Sequence, residues 1–354
     1  MPSPSLEAVN QLMRTAIESQ LFPGAEILVA QGDQLLLHRA YGKTSGSAQA
    51  RALEKGSIYD LASLTKPVAT ATAALKLAEQ GYVDLLEPIG QWLPEWKGPS
   101  AITWSDLLTH RSGLVPWLPL YQSKSKEEAW AQLMSPEPAT QVGTKVSYSC
   151  LNFLILAELV RRVSKQTLAA FCQEQIFGPL GLTSLKFSPG PGALVLESAF
   201  CPWRNRRLQG EVHDENAALF DGEGGNAGLF GTALDLWQYA LMLLDQGIYR
   251  GETFFKPETA RLMLENQNPT PLASRTIGWD YYNQSPGYWS CGNLLSLGSI
   301  GHLGYTGTGI WIDPKRRLTL IHLSHRVWYG AEHQLAEMKK FRPVLHNHLI
   351  RIAQ

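Results

Sequence analysis

Residues 59–89 read YDLASLTKPVATATAALKLAEQGYVDLLEPI, and the placing of Ser63, Lys66, Pro67 and Gly81 within them decides the fold. From Ser63 to Gln80 the pattern is helical, and Gly81 stands where a left-handed C-terminal cap belongs. Pro67 has no N–H to donate and is tolerated only near a helix start, so Ser63 lies at or beside the N-terminus. Positions three apart share a helical face, which brings the Lys66 amine within reach of the Ser63 hydroxyl. Free backbone N–H groups and the positive end of the helix dipole favour an anion there. A lysine near its usual pKa of about 10.4 is a poor base, but burial and neighbouring dipoles can bring one down to roughly 7–8. Taken alone, the tetrad Ser63-Leu64-Thr65-Lys66 also fits an N-cap serine followed by a surface lysine.

Outward from this helix the chain is asymmetric. On its N-terminal side, Leu6, Val9, Leu12, Met13, Ala16 and Ile17 mark one face of a helix over residues 6–19. Pro23-Gly24 ends it, and Ala25–Ala30 and Gln34–Tyr41 read as antiparallel strands around a Gln31-Gly32-Asp33 turn. On the C-terminal side the chain to about Leu244 is mostly helical, including Thr103–Thr109, Leu151–Val163 and Ala233–Leu244. Strands return at Gly309–Asp313 and Arg317–Leu323, flanking a Pro314-Lys315-Arg316 turn. A last helix over about Pro343–Ile352 is expected to be opened by its own proline. The order implies an α/β (α+β) fold: one antiparallel sheet built from both chain ends, flanked by helices, with a mainly helical region inserted. Residues 1–60 plus 246–354 are the expected sheet-and-helix domain and 61–245 the helical one, with the active site between them.

Composition excludes several classes of function. Lysine plus arginine and aspartate plus glutamate both count 31, and no basic stripe runs along the chain. No nucleic-acid or anionic-membrane partner is therefore expected. Cys150, Cys172, Cys201 and Cys291 are scattered without a CxxC pair, which suits reduced thiols. Glu7, Asn10, Gln11 and Arg14 interrupt any apolar leader, so a cytoplasmic location is expected. His346 and His348 would not share a helical face, and no H-E-x-x-H, P-loop or dinucleotide fingerprint occurs, so neither metal nor cofactor is called for.

The 59–89 stretch resembles the active-site helix of class C β-lactamases and their esterase and D-aminopeptidase relatives. Pro23-Gly24-Ala25, LLTHRSGL at 107–114 and GPLGL at 178–182 resemble the same family in the same order. VHDENA at 212–217 followed by Gly228-Leu229-Phe230 is similar to serine hydrolases near penicillin-binding protein 4B. The resemblance implies the β-lactamase/transpeptidase-like fold, with Ser63 as nucleophile and Lys66 with Tyr148 as its proton handlers. Tyr148-Ser149-Cys150 stands where the family has Y-x-N. Cys150 is thus a departure, with a thiol, a weak hydrogen-bond partner, in place of an amide. A small filler role is expected for it, and Asn152 is an uncertain substitute for the missing amide. His302-Leu303-Gly304 stands where the family has K-T-G or H-x-G. Gly304 would let a substrate approach the backbone, the N–H groups of Tyr305 and Ser63 would form the oxyanion hole, and His302 would be mostly neutral at pH 7 with an ordinary pKa near 6.5. His110 and His213 are expected to be structural. The implied function is a serine hydrolase acting through an acyl-enzyme on a small ester, amide or D-peptide. A β-lactamase and a catalytically silent binding or scaffold protein are the alternatives.

Overall fold

A computed structural model describes residues 4–354, with side chains from Leu6 onward. Its centre is a six-stranded antiparallel sheet in the order Asp280–Tyr281, Ile300–Leu303, Gly309–Asp313, Leu318–Ser324, Gly24–Gln31, Gln34–Gly42. Both chain ends therefore contribute strands, and the N-terminal strand lies between Leu318–Ser324 and Gln34–Gly42, in register from Ala25 opposite Ser324 to Gln31 opposite Leu318.

Alternation along the strands sorts the two faces. Ile27, Val29, Trp311 and Leu320 point into one apolar cluster with Val9 and Met13 of the helix Pro4–Glu18 and with Phe341, Leu345 and Leu349 of the helix Leu335–Ile352. Leu28, Ala30, Ile310, Ile312 and Ile321 point into the other, which continues through Leu236 and Leu243 of the helix Ala233–Leu244 into the helical region. The C-terminal helix begins eight residues before the expected start, at Leu335, and Pro343 lies inside it. Buried Met338, Phe341, Leu345 and Leu349 recur at helical spacing, and their burial outweighs the roughly 3 kcal/mol that an internal proline costs.

The inserted region carries helices Trp104–Leu108 and Cys150–Ser164 where helical periodicity placed them. It also holds short strands with no alternation to announce them. Tyr59–Asp60 and Lys186–Phe187 flank Leu229–Gly231, and Glu197–Cys201 pairs with Arg206–Gln209. The first set fixes the approach to Ser63, because Tyr59–Asp60 ends immediately before the turn that presents it. Among the described residues no helix is long and apolar enough to cross a membrane.

Candidate active site

Ser63 sits in a tight 3-10 turn, Ala62–Leu64, followed by a wider π-type stretch, Lys66–Ala71, and the helix Thr72–Glu79. Ala62 has a φ of +48°, the left-handed region that L-residues enter at a cost of about 1–2 kcal/mol. Asp60 holds that strained turn. Its Oδ1 accepts the Ala62 N–H at 2.8 Å, its Oδ2 accepts the His213 N–H at 2.6 Å, and its backbone carbonyl accepts from Thr306 Oγ1 at 2.7 Å. Burial raises the Asp60 carboxyl to about 6, against the pull of those two N–H donors.

Lys66 is fully buried, and its Nζ donates to Ser63 Oγ at 3.1 Å, Cys150 Sγ at 3.5 Å and the Asn226 carbonyl at 2.8 Å. Three acceptors match the three hydrogens of an ammonium. Burial works against that charge, but Cys150 and then Tyr148 favour it, and the outcome is a pKa above the ordinary lysine value. A fall toward roughly 7–8 through burial is opposed here by Cys150 and Tyr148. Nζ lies 4.9 Å from the centre of the Tyr148 ring. Burial pushes the Tyr148 phenol up, and the Lys66 charge pulls it only partly back. The buried ammonium, held by its three acceptors, thus favours the phenolate that burial opposes.

Tyr148 is positioned from behind. His110 Nδ1 accepts the Ser149 N–H at 3.0 Å, and the His110 ring stacks 4.8 Å from Tyr148 and 5.3 Å from Phe153. Burial holds His110 well below the usual histidine range, so it supports the loop as a neutral acceptor. Asn152 belongs to this scaffold and is not brought to the cavity. Its Oδ1 accepts from Ser112 Oγ at 2.7 Å, and its Nδ2 donates to the Leu107 carbonyl at 3.1 Å. Cys150, in contrast, is half-buried with its sulfur against Lys66, so it is more than a filler.

Opposite Ser63 and Tyr148, the strand Ile300–Leu303 and the turn after it supply His302, Leu303, Gly304 and Tyr305 to one cavity of about 260 Å³. His302 Nδ1 lies 2.9 Å from the Leu303 carbonyl oxygen, which can only accept, so the proton sits on Nδ1 and Nε2 presents a lone pair. Burial lowers His302 to about 4, well under the ordinary value expected from sequence. Gly304 lines the cavity and is also required by the fold itself: a Cβ there would lie 2.0 Å from Thr308 Oγ1 and 2.6 Å from the Leu61 carbonyl. Its bareness docks this turn against the one carrying Ser63. Among the described residues, neither the Ser63 nor the Tyr305 N–H is taken by a loop or cap carbonyl.

Three contributors to the site carry no motif of their own. The Asn226 carbonyl anchors Lys66 from the glycine-dense run 222–228, whose spacing is the one available signal. Asp280 lines the cavity and pairs with Arg275 at 2.7 Å, and that guanidinium lies 5.8 Å from the Tyr148 ring. Arg342 also lines it, 6% exposed, donating to the Gly304 carbonyl at 3.4 Å, with burial lowering its pKa to about 10. Among the described residues no group of three or more His, Cys, Asp or Glu could hold a metal ion. His346 instead directs Nδ1 to the Ser290 carbonyl at 2.5 Å.

A β-lactamase family model matches residues 9–340. The chain is 29% identical to an N-acetylmuramyl-L-alanine amidase of Bacillus subtilis (strain 168), over 91% of this chain and 81% of the relative. The fold is shared with EstCE1, a hydrolase with promiscuous acyltransferase activity, at a TM-score of 0.74 and 18% identity, covering 98% of each chain. It is also shared with an octameric penicillin-binding protein homologue from Pyrococcus abyssi, at a TM-score of 0.70 and 20% identity, over 90% of this chain and 73% of that one.

Proposed function

The chain belongs to the β-lactamase family, and from that premise we propose that it is a serine hydrolase in which Ser63 takes the acyl group of a small ester or amide. The observation that carries this reading is the buried Lys66 ammonium, 3.1 Å from Ser63 Oγ and 4.9 Å from the centre of the Tyr148 ring, directly behind the two residues, Ser63 and Tyr148, that line the cavity. Ser63 Oγ attacks the substrate carbonyl carbon, and its proton passes to Tyr148 as phenolate, the form Lys66 favours. The Ser63 and Tyr305 N–H groups receive the oxyanion. Collapse breaks the bond to the leaving group, which takes the proton from Tyr148. Water then gives a proton to Tyr148 and attacks the acyl carbon; as the bond to Ser63 Oγ breaks, Tyr148 returns that proton to Oγ and the acid leaves.

The two-sided lining of the cavity supports dividing the chain into a sheet-and-helix part, 1–60 plus 246–354, and a helical part, 61–245. Residues 1–3 lie outside the described structure. A silent scaffold would not need a buried lysine whose three donors converge on a serine, a thiol and a carbonyl.

Esters are the preferred substrates within this class. Cys150 occupies the place from which the family's asparagine would pair with an amide, and its sulfur, already against Lys66, is a weak donor and acceptor. His302 lines the cavity as a neutral imidazole at neutral pH and offers no cation there. A carboxylate on a D-peptide or lactam would have to be met by Arg342. The test is the ratio of acylation rates for a β-lactam and a simple phenyl ester. The wild type should favour the ester strongly, and Cys150→Asn should raise the lactam-to-ester ratio by about tenfold, the worth of one neutral hydrogen bond of about 1 kcal/mol or slightly more. An unchanged ratio would remove Cys150 from the account of selectivity.

A further inference from the structure

We propose that Trp117, Tyr121 and Trp203 form an aromatic subsite at the mouth of the Ser63 cavity that receives an extended, uncharged apolar acyl group; this rests on the acyl-enzyme reading above. The Trp117 and Tyr121 ring centres are 6.3 Å apart, and Tyr121 meets Trp203 edge to face at 5.6 Å. The two indoles nevertheless stay 46% and 43% exposed. Contiguous exposed aromatic surface of this kind marks a place where something binds.

Both ends of the cluster are tied to groups of the site. Trp117 follows Pro116, whose carbonyl accepts the Cys150 N–H at 2.8 Å, and Cys150 Sγ is 3.5 Å from Lys66 Nζ. Asn216 pins the same loop, accepting the Tyr121 N–H at 3.0 Å and donating to the Leu118 carbonyl at 2.8 Å. Trp203 stands at the tip of the Glu197–Cys201/Arg206–Gln209 hairpin. Next to it, Arg204 donates to the Val212 and His213 carbonyls at 2.8 and 3.0 Å. The His213 ring lies 5.8 Å from that of Tyr305, which lines the Ser63 cavity. The aromatic wall thus spans from the Tyr148–Cys150 side toward the Tyr305 side.

Charge selects the occupant. Arg204, whose guanidinium lies 5.7 Å from the Trp203 ring centre, has its donors committed to those two carbonyls and to Cys201 Sγ at 3.3 Å, so none is left to bind an anionic tail, and its charge is offset by neighbouring carboxylates. The nearby carboxylates belong to Asp214, which caps the helix Glu215–Leu219 through the Ala217 N–H at 2.7 Å, and to Glu215. Both repel an anion. An alkyl or aryl chain gains ring contact there without desolvating a charge.

The experiment uses the full chain and p-nitrophenyl acetate, butyrate, hexanoate and octanoate, which share one leaving group. A methylene buried completely is worth about 0.8 kcal/mol, roughly fourfold, and half-burial of the four added in hexanoate gives about tenfold. Wild-type kcat/KM should therefore be about tenfold higher for hexanoate than for acetate. Trp117→Ala and Trp203→Ala should each cut that ratio about threefold or more, and Trp203→Phe should keep most of it. A flat wild-type series, or alanine variants with the wild-type ratio, overturns the subsite while ester turnover and Ser63 labelling persist. Loss of all ester turnover together with failure of Ser63 to label would instead bring down the acyl-enzyme reading on which the subsite rests.

Discussion

Replacing Lys66 by alanine, or Tyr148 by phenylalanine, should lower ester kcat/KM by about 10³-fold each, and the double variant should lose little more than either one. General acid–base catalysis contributes about 10²–10⁴-fold, and a charge that favours the base form acts through the same step. Two independent contributions would multiply to about 10⁶, so the double variant separates the cases. Lys66 touches Ser63 and faces Tyr148, so either loss disables one proton path. The pair also sets a pH dependence. Because burial raises the Tyr148 phenol and Lys66 only partly offsets it, the phenolate is a minor form at neutrality and grows with pH. The wild-type rate should climb through and beyond pH 8, and Tyr148→Phe should flatten that limb. A multiplicative double variant, or a rate independent of pH above 7, would contradict a shared role.

The second large effect is on stability. His302, His325 and His346 are buried with pKa values lowered to about 4, 3 and 4, chiefly by burial, and His110 and His322 are shifted the same way. A histidine depressed in the folded state binds its proton more readily when unfolded. Its contribution is complete above the unfolded value near 6.5 and is lost as pH falls from there toward the folded value. At pH 5 each of the three costs about 2 kcal/mol relative to pH 8, about 6 kcal/mol together. Asp60, raised to about 6, works in the opposite sense and returns about 1 kcal/mol. The histidines win, and the loss approaches the 5–15 kcal/mol typical of a whole domain. Calorimetry should show Tm falling by about 5–10 °C between pH 7 and pH 5, a window in which ordinary carboxylates stay ionised. A Tm constant over that range would mean these imidazoles are not held neutral by the fold.

How far residues alone lead can be seen in particular elements. Ile27, Leu28, Val29 and Ala30, and Ile310, Trp311 and Ile312, are continuous apolar runs bounded by turn residues, as a sheet covered on both faces requires, and such strands are visible without coordinates. The i, i+3 spacing of Ser63 and Lys66 is equally local, as is Gly81, whose φ is +79°. Features that escape local reading depend on distant partners. The acceptor that anchors Lys66 is a carbonyl 160 residues away, and Arg342 reaches the cavity from the C-terminal helix. The direction of the Lys66 shift comes from a balance of burial against Cys150 and Tyr148, which residue spacing does not weigh. Pro343 reads locally as a start signal, but the buried face built by Met338 and Phe341 before it carries the helix through. Gly304 reads locally as room for a substrate, and the close neighbours its own fold adds include the Leu61 carbonyl, from a distant segment that local reading does not reach.

The central claim is that Ser63 becomes acylated, and intact-mass spectrometry after exposure to a fluorophosphonate tests it most directly. The wild type should gain the mass of one adduct, mapped to the peptide carrying Ser63, and Ser63→Ala should gain none while keeping the wild-type Tm. Adduct formation by Ser63→Ala at the wild-type rate would place the nucleophile elsewhere and contradict the account.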